Sequence, residues 1–232
     1  MAGLGRVAAI IAAGGKGVRV GTPVNKQFVE IGGRPILAHT LRAFEECDVV
    51  DEVVVVAPGD WLFFVAEEIV DRYGFRKVRR VVEGGAERQD SVYEGLKALD
   101  EDVEVVLIHD AARPFVTERE IRQVAEAARE SGAAICAVRP RDTVKRGSEK
   151  VVESTLPRGE LWLVQTPQGF RRELILRAYE RARKESFLGT DDAGLVERLG
   201  EEVVVVEGSY RNFKITTPED LELARLLIEK GK

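Results

Sequence analysis

Residues able to handle phosphate recur along this chain. From position 7 to 26 it reads VAAIIAAGGKGVRVGTPVNK, an apolar run followed by Gly14, Gly15 and Gly17 and then by cations at Lys16, Arg19 and Lys26. Glycine has no Cβ, so the backbone can turn sharply and present several N–H donors to anionic oxygens. The spacing differs from two familiar glycine motifs. A dinucleotide fingerprint would need a third glycine where Val20 stands and an acidic residue closing the next strand, which instead ends in Ala57-Pro58. The Walker pattern G-x-x-x-x-G-K-[ST] is also absent. What remains, A-G-G-x-G-x-R with a lysine seven positions later, predicts a cradle for a nucleotide triphosphate. The alternative is a glycine-rich connection carrying solvated basic residues.

Two further stretches carry candidate chemistry. In IHDAARPF, Asp110 closes an apolar strand over 103–109. One carboxylate there is suited to Mg²⁺, with substrate phosphates and water as the other ligands. Arg113 is close enough to serve the same ligand, although an Asp–Arg pair that merely orders the turn before Pro114 is an equal reading. In GGAERQDSV, Gly84 and Gly85 follow a strand and lead into a helix, at the carboxyl edge where open α/β sheets bind ligands. Asp90 or Ser91 serves there as a helix cap or as a ligand contact. His109 is expected to pack at its strand end, since no second histidine lies nearby.

The elements that must position these residues follow from hydrophobic period. Buried strands are expected over 7–12, 53–57, 78–82, 103–109 and 133–138. Helices are expected over 35–47, from Asp60 to about 73, from the GGAERQDSV loop through Leu99, and from Thr117 to about 131, the last opened by a capping box Thr117–Glu120. Strands alternating with helices predict an α/β fold, a mostly parallel, doubly wound sheet with helices on both faces. At 139–159 the pattern changes to prolines, charges and a short alternating piece, which predicts a projecting β-hairpin arm whose open edges a second subunit would cover. A strand over 161–166 ending in Thr166-Pro167-Gln168, helices over 172–186 and 190–199, strands over 203–206 and 212–215, and a C-terminal helix capped by Thr217 complete the chain.

Composition bounds the function. With 232 residues, 44% hydrophobic content and mixed charge, the chain has the make-up of a soluble globular protein, expected in the cytoplasm. Its net charge of −5 offers no general attraction to nucleic acid or to an anionic membrane, so an anionic substrate must meet a local basic cluster. Cys47 and Cys136 are too few and too far apart for a zinc site or a disulfide framework, and no Ser–His or Cys–His pair suggests a protein nucleophile.

Taken together, AAGGKGVR with NKQF, GGAERQDSV, IHDAARPF, DTVKR, RGELWLVQTPQ, TDDAGLVE and NFKIT before TPED make the sequence resemble the 2-C-methyl-D-erythritol 4-phosphate cytidylyltransferase family over nearly its whole length. The resemblance implies a Rossmann-like nucleotidyltransferase domain spanning 1–232, with 139–159 as a dimerisation arm. It implies transfer of CMP from CTP to methylerythritol 4-phosphate with Mg²⁺ as cofactor, in the non-mevalonate route to isoprenoid precursors. Under it, Arg19, Lys26 and Lys214 are the catalytic cations. Ala13, Gly14, Gly15, Lys16, Gly17, Gly85, Ser91, Asp110 and Ala111 bind CTP, and Asp110 is also associated with the metal. Arg113, Thr143, Arg158, Thr166 and Thr190 hold the methylerythritol phosphate, Thr143 and Arg158 reaching in from the arm of the other subunit of a homodimer. Val20, Asn25 and Ala86 depart from the residues frequent in the family, and Ala86 bears on ribose recognition. A ribitol 5-phosphate cytidylyltransferase and a non-catalytic nucleotide-sensing subunit are the competing readings.

Overall fold

Apolar runs bounded by glycine and proline become the strands of a seven-stranded sheet in the computed structural model. Residues 5–14 and 25–231 are described. In chain order the elements are β1 (Arg6–Ala12), β2 (Glu30–Ile31), β3 (Arg34–Pro35), α1 (Ile36–Glu46), β4 (Glu52–Ala57), α2 (Leu62–Phe64), β5 (Val78–Glu83), α3 (Arg88–Lys97), β6 (Val103–Asp110), α4 (Glu118–Ser131) and β7 (Ala133–Val138). There follow β8 (Lys145–Ser148), β9 (Val151–Thr155), β10 (Leu163–Arg171), α5 (Arg172–Lys184), α6 (Ala193–Glu197), β11 (Val204–Glu207) and α7 (Pro218–Glu229). The main sheet runs β11-β7-β10-β6-β1-β4-β5. β1 pairs in parallel with β4 and β6, β4 with β5, and β11 with β7, while β10 runs antiparallel between β6 and β7.

Strand periodicity divides the core in two. Val7, Ala9 and Ile11 of β1 face one side, where Leu37, Leu41 and Phe44 of α1 and Ile121, Val124 and Ala128 of α4 cover them. Ala8 and Ile10 face the other, against Val92 and Leu96 of α3 and Ile175, Ala178 and Tyr179 of α5. Each fully buried Leu or Ile in these layers contributes about 1.5–3 kcal/mol. Gly95 sets the approach of α3, because a Cβ there would lie 2.7 Å from Ile10 Cγ2. The α/β architecture, mostly parallel with helices on both faces, is therefore the one the alternation predicts.

Some elements differ from expectation. The strand placed over 161–166 instead runs Leu163–Arg171, and Pro167 does not stop it. Proline has no N–H to give a ladder, and this one falls inside the register shift between Val164 and Gln168, where β10 makes no regular pairing with β7. The strand expected over 212–215 does not form. That segment makes one backbone bond to the sheet side, Ile215 N to Ala112 O at 2.9 Å, and uses Asn212 for side-chain bonds instead. The helix expected from Asp60 is a composite, a 3₁₀ turn at Gly59–Trp61, then α2, then π-helical Val65–Asp71, and Asp60 does not cap it through its side chain. Helix α3 starts after Glu87, so neither Asp90 nor Ser91 is its N-cap; Asp90 accepts a bond from Glu87 N at 3.3 Å. The segment 139–159 contains the hairpin β8–β9, whose strand residues are all exposed, Val151 and Val152 included.

Candidate active site

The carboxyl ends of β1 and β6 are neighbours, with Ala12 in register with Asp110. The chain leaving β1 is held there at several points. Ala13 N donates to Val56 O and Ala111 N donates to Ala12 O, while the Gln27 amide donates to Ala13 O. Gln27 therefore ties the segment starting at Lys26 back to the strand end, although Lys26 follows it by a run of undescribed residues. Gly14 lies against α3, and a Cβ on it would stand 3.2 Å from Ser91 Oγ. Ser91 is buried and donates its hydroxyl proton to Glu87 O at 3.0 Å. Gly85 precedes it in the same turn. The expected nucleotide contacts Ala13, Gly14, Gly85, Ser91, Asp110 and Ala111 thus share one edge of the sheet. Gly15, Lys16, Gly17 and Arg19 lie outside the described residues.

A cleft of about 460 Å³ opens beside this edge, lined among others by Arg88, Asp110, Arg113, Thr166, Thr190 and Lys214. Asp110 is its centre. Lys214 Nζ lies 3.0 Å and Arg113 Nε 3.4 Å from Oδ2, and Arg88 Nε lies 3.3 Å from Oδ1. Burial alone would raise the Asp110 carboxyl, but Lys214, Arg88 and Arg113 outweigh it and hold it well below the usual carboxylate range. Arg113 is fixed from a second side by Asn212 O at 2.8 Å. The sequence reading of Asp110 and Arg113 as a mere turn pair is too narrow, since Lys214 arrives from more than a hundred residues away.

Beneath the cleft a chain of bonds sets the β6 turn. Asp110 N donates to Thr166 Oγ1 at 3.0 Å, and Thr166 Oγ1 lies 3.0 Å from His109 Nδ1. His109 Nε2 is 3.2 Å from Arg113 O, and because a carbonyl only accepts, the proton sits on Nε2 and the Thr166 hydroxyl donates to Nδ1. His109 is fully buried with its ring 5.0 Å from that of Phe44, the packed strand-end residue its isolation in the sequence predicts.

Burial first, then the charges of Arg113 and Lys214, lower the His109 pKa from 6.5 to about 3. The unfolded chain takes up this proton below about 6.5 while the folded one does not, so His109 costs stability as pH falls, at about 1.4 kcal/mol per unit. The loss stops only near pH 3. His109→Gln should be less stable than the parent at pH 7 yet show a flatter dependence between pH 4 and 6.5, as read from urea midpoints. An unchanged slope would mean that His109 is not the titrating group.

Two residues of the site went unnoticed in the sequence, Arg88 and Asp192. Arg88 Nη2 meets Asp192 Oδ2 at 2.7 Å, across a separation of 104 residues, and Asp192 Oδ1 accepts from Tyr179 Oη at 2.5 Å. Both lie inside stretches already informative, GGAERQDSV and TDDAGLVE, but no local pattern announces a pairing so distant. Thr190 stands exposed at the cleft, its loop fixed by Gln168, which donates to Asp191 Oδ2 at 2.9 Å and accepts from Ala193 N at 3.0 Å. Thr143 and Arg158 are not brought to this cluster. Arg158 is exposed at the base of the arm, donating to Arg141 O at 2.6 Å.

The arrangement can bind phosphate with fixed cations, while its hydroxyl–imidazole contact, Thr166 to His109, is buried beneath the cleft and engaged with Asp110 N. The chain matches the family model described as IspD: 2-C-methyl-D-erythritol 4-phosphate cytidylyltransferase over residues 7–230. It is 50% identical over 227 residues to the 2-C-methyl-D-erythritol 4-phosphate cytidylyltransferase of Geobacter metallireducens, covering 97% of this chain and 98% of that one. The protein of the same name from Halalkalibacterium halodurans is 51% identical over 224 residues, with 96% and 97% covered. Among solved structures, the 4-diphosphocytidyl-2C-methyl-D-erythritol synthase of Anaerococcus prevotii superposes with a TM-score of 0.85 at 35% identity, covering 97% of this chain and 96% of that one. The 2-C-methyl-D-erythritol 4-phosphate cytidylyltransferase of Thermus thermophilus gives 0.80 at 37% identity, with 97% and 99% covered.

Proposed function

The chain belongs to the 2-C-methyl-D-erythritol 4-phosphate cytidylyltransferase family, and from that premise we propose how its cleft carries out the transfer of CMP from CTP to 2-C-methyl-D-erythritol 4-phosphate. The products are 4-diphosphocytidyl-2-C-methyl-D-erythritol and pyrophosphate. The observation that carries the reading is the position of Asp110, Arg88, Arg113 and Lys214 together at the end of β6, beside the Ala13–Gly14 turn that receives the nucleotide.

The attacking group is the phosphate monoester of the polyol substrate. It is already anionic at neutral pH, so no general base is needed. Its oxygen forms a bond to the α-phosphorus of CTP while the bond from that phosphorus to the bridging oxygen breaks, and pyrophosphate leaves with the electron pair. Charge spreads over the phosphoryl oxygens as this happens, and preorganised cations are the main source of rate. Arg19, Lys26 and Lys214 are assigned that task. Arg113, Thr166 and Thr190 orient the methylerythritol phosphate. Because the Thr166 hydroxyl is engaged with His109 and Asp110 N, its contribution is to fix the β6 turn as well as to line the pocket.

The donors present suit magnesium. A carboxylate offers about four acceptor positions, and three on Asp110 are met by Arg88, Arg113 and Lys214, so one remains for a hard cation whose other ligands are phosphate and water. Bound there, Mg²⁺ would neutralise charge on the triphosphate.

The exposed β8–β9 hairpin is assigned as the arm of a homodimer, bringing Thr143 and Arg158 to the neighbouring site. Random re-pairing of Lys214→Ala chains with Arg158→Ala chains should then restore about a quarter of parental activity, because the mixed dimer contains one intact site of two. No recovery above the two inactive parents would place both residues in one self-contained protomer. Both substrates are highly charged, and the compartment proposed for the reaction is the cytoplasm. Among the described residues no helix is long and apolar enough to cross a membrane.

The deciding experiment is pyrophosphate release with Mg²⁺, pairing CTP or UTP with methylerythritol 4-phosphate or ribitol 5-phosphate. Fast release only from CTP and methylerythritol 4-phosphate is expected. Release with ribitol phosphate alone, or with neither acceptor, would overturn the assignment.

A further inference from the structure

The cations around Asp110 are not equivalent. Lys214 and Arg113 both meet Oδ2, whereas Arg88 alone meets Oδ1. Arg88 also bonds a second carboxylate, one anchored in the core. Its Nη2 bonds Asp192 Oδ2 at 2.7 Å, the Asp192 side chain is 1% exposed, and Asp192 Oδ1 is closed off by Tyr179 Oη at 2.5 Å. Tyr179 is fully buried among the residues of α5 and α6 and stacks on Tyr93 at 6.1 Å between ring centroids. A rigid line of groups therefore runs from the hydrophobic core to one oxygen of the site carboxylate.

We propose that Arg88, tethered through Asp192 and Tyr179, is a positioning residue that holds Asp110 by Oδ1 while Lys214 turns from Oδ2 toward the substrates. The inference rests on the assignment of Asp110 as the site carboxylate. Its logic is a division of labour between the two oxygens. An incoming phosphate competes with Asp110 for Lys214, whose flexible stem is 36% exposed and free to swing. Once Lys214 leaves, Oδ2 keeps the 3.4 Å contact to Arg113, and a carboxylate held only there would rotate. The Arg88 contact to Oδ1 does not depend on the substrate and prevents this. A planar guanidinium holds two separate carboxylates in one fixed geometry, which the rotating ammonium of lysine does not reproduce.

The test compares Arg88→Lys, Asp192→Asn, their double variant and Asp110→Asn, with kcat, KM for each substrate and thermal melts measured on the whole enzyme. Arg88→Lys and Asp192→Asn should each lower kcat by about 10–100-fold with KM for CTP within about twofold of the parent, as losing a supporting partner does. The double variant should be no slower than the slower single one, since both break the same line. Should Arg88→Lys or Asp192→Asn fail to fold, Tyr179→Phe replaces it, and a fall in kcat at constant KM is expected from a hydroxyl that touches no substrate. If Asp110→Asn loses turnover while the other variants keep parental kcat, positioning by Arg88 is wrong and the site assignment stands. A raised KM for CTP at unchanged kcat in Arg88→Lys would make Arg88 an ordinary phosphate ligand and overturn the inference. Parental kcat in Asp110→Asn would remove the premise itself.

Discussion

Asp110→Asn should lose both activity and stability. The variant keeps the shape of the side chain and removes the charge that Lys214, Arg88 and Arg113 converge on. Three cations then face one another, with Asp192 still paired to Arg88. Removing one partner of a buried ionic cluster costs up to about 3–5 kcal/mol. Here the Lys214 and Arg88 side chains are 36% and 32% exposed, so solvent screens them and about 2–3 kcal/mol is expected. For a chain of this size that corresponds to a melting temperature lower by about 5–10 °C. Activity should fall by about 10²–10³-fold, because cations repelling one another cannot stay where the phosphoryl oxygens need them. The pH profile gives an independent check. The Asp110 carboxyl is held below its ordinary range in the folded state, so its stabilisation is present above about pH 4 and is lost as pH falls further. Asp110→Asn should lack that acid-side loss. A variant as stable as the parent at pH 7 would show that the cluster is not coupled in solution.

The sequence carried the fold because the fold is written in local period. Apolar runs such as IIA in β1 and VVVVA in β4 are short, continuous and bounded by turn residues, and each became a strand buried on both faces. Local period failed where tertiary context decides. Pro167 reads as a strand end, yet β10 continues through it because an irregular register leaves no ladder bond for a proline to break. The segment around Lys214 reads as a strand from Phe213 and Ile215, but Ile215 is spent on the small cluster with Ile31 of β2, Ile36 of α1 and Leu221 of α7. The site was legible for the same reason in part. Asp110 and Gly14 stand at the ends of strands whose direction and adjacency the α/β pattern implies. Arg88 and Asp192 were not legible, since a pair 104 residues apart follows only from the meeting of the start of α3 with the loop that leads into α6.

Lys214→Ala should have the opposite balance, with activity lost and stability kept. The cluster as it stands holds Lys214, Arg88 and Arg113 against Asp110 and Asp192, one cation more than its carboxylates neutralise. Deleting Lys214 leaves two guanidiniums and two carboxylates, each still paired, so the melting temperature should move little. The half-exposed lysine was itself screened, and its loss is worth at most about 1 kcal/mol. Lys214, the more exposed end of that cluster, is what an anionic substrate meets. Without it a developing charge on the phosphoryl oxygens loses a donor placed within reach, at a cost of about 10²–10³ in kcat. Stopped-flow turnover and melting curves on the same preparation separate the two quantities. A variant that melts far below the parent would mean that Lys214 holds the fold rather than the substrate, whereas one that melts normally and turns over normally would hand its task to Lys26 and Arg19. The expected pairing, near-parental melting with turnover largely gone, follows from a cation placed at the end of β6 in excess of what its neighbours need.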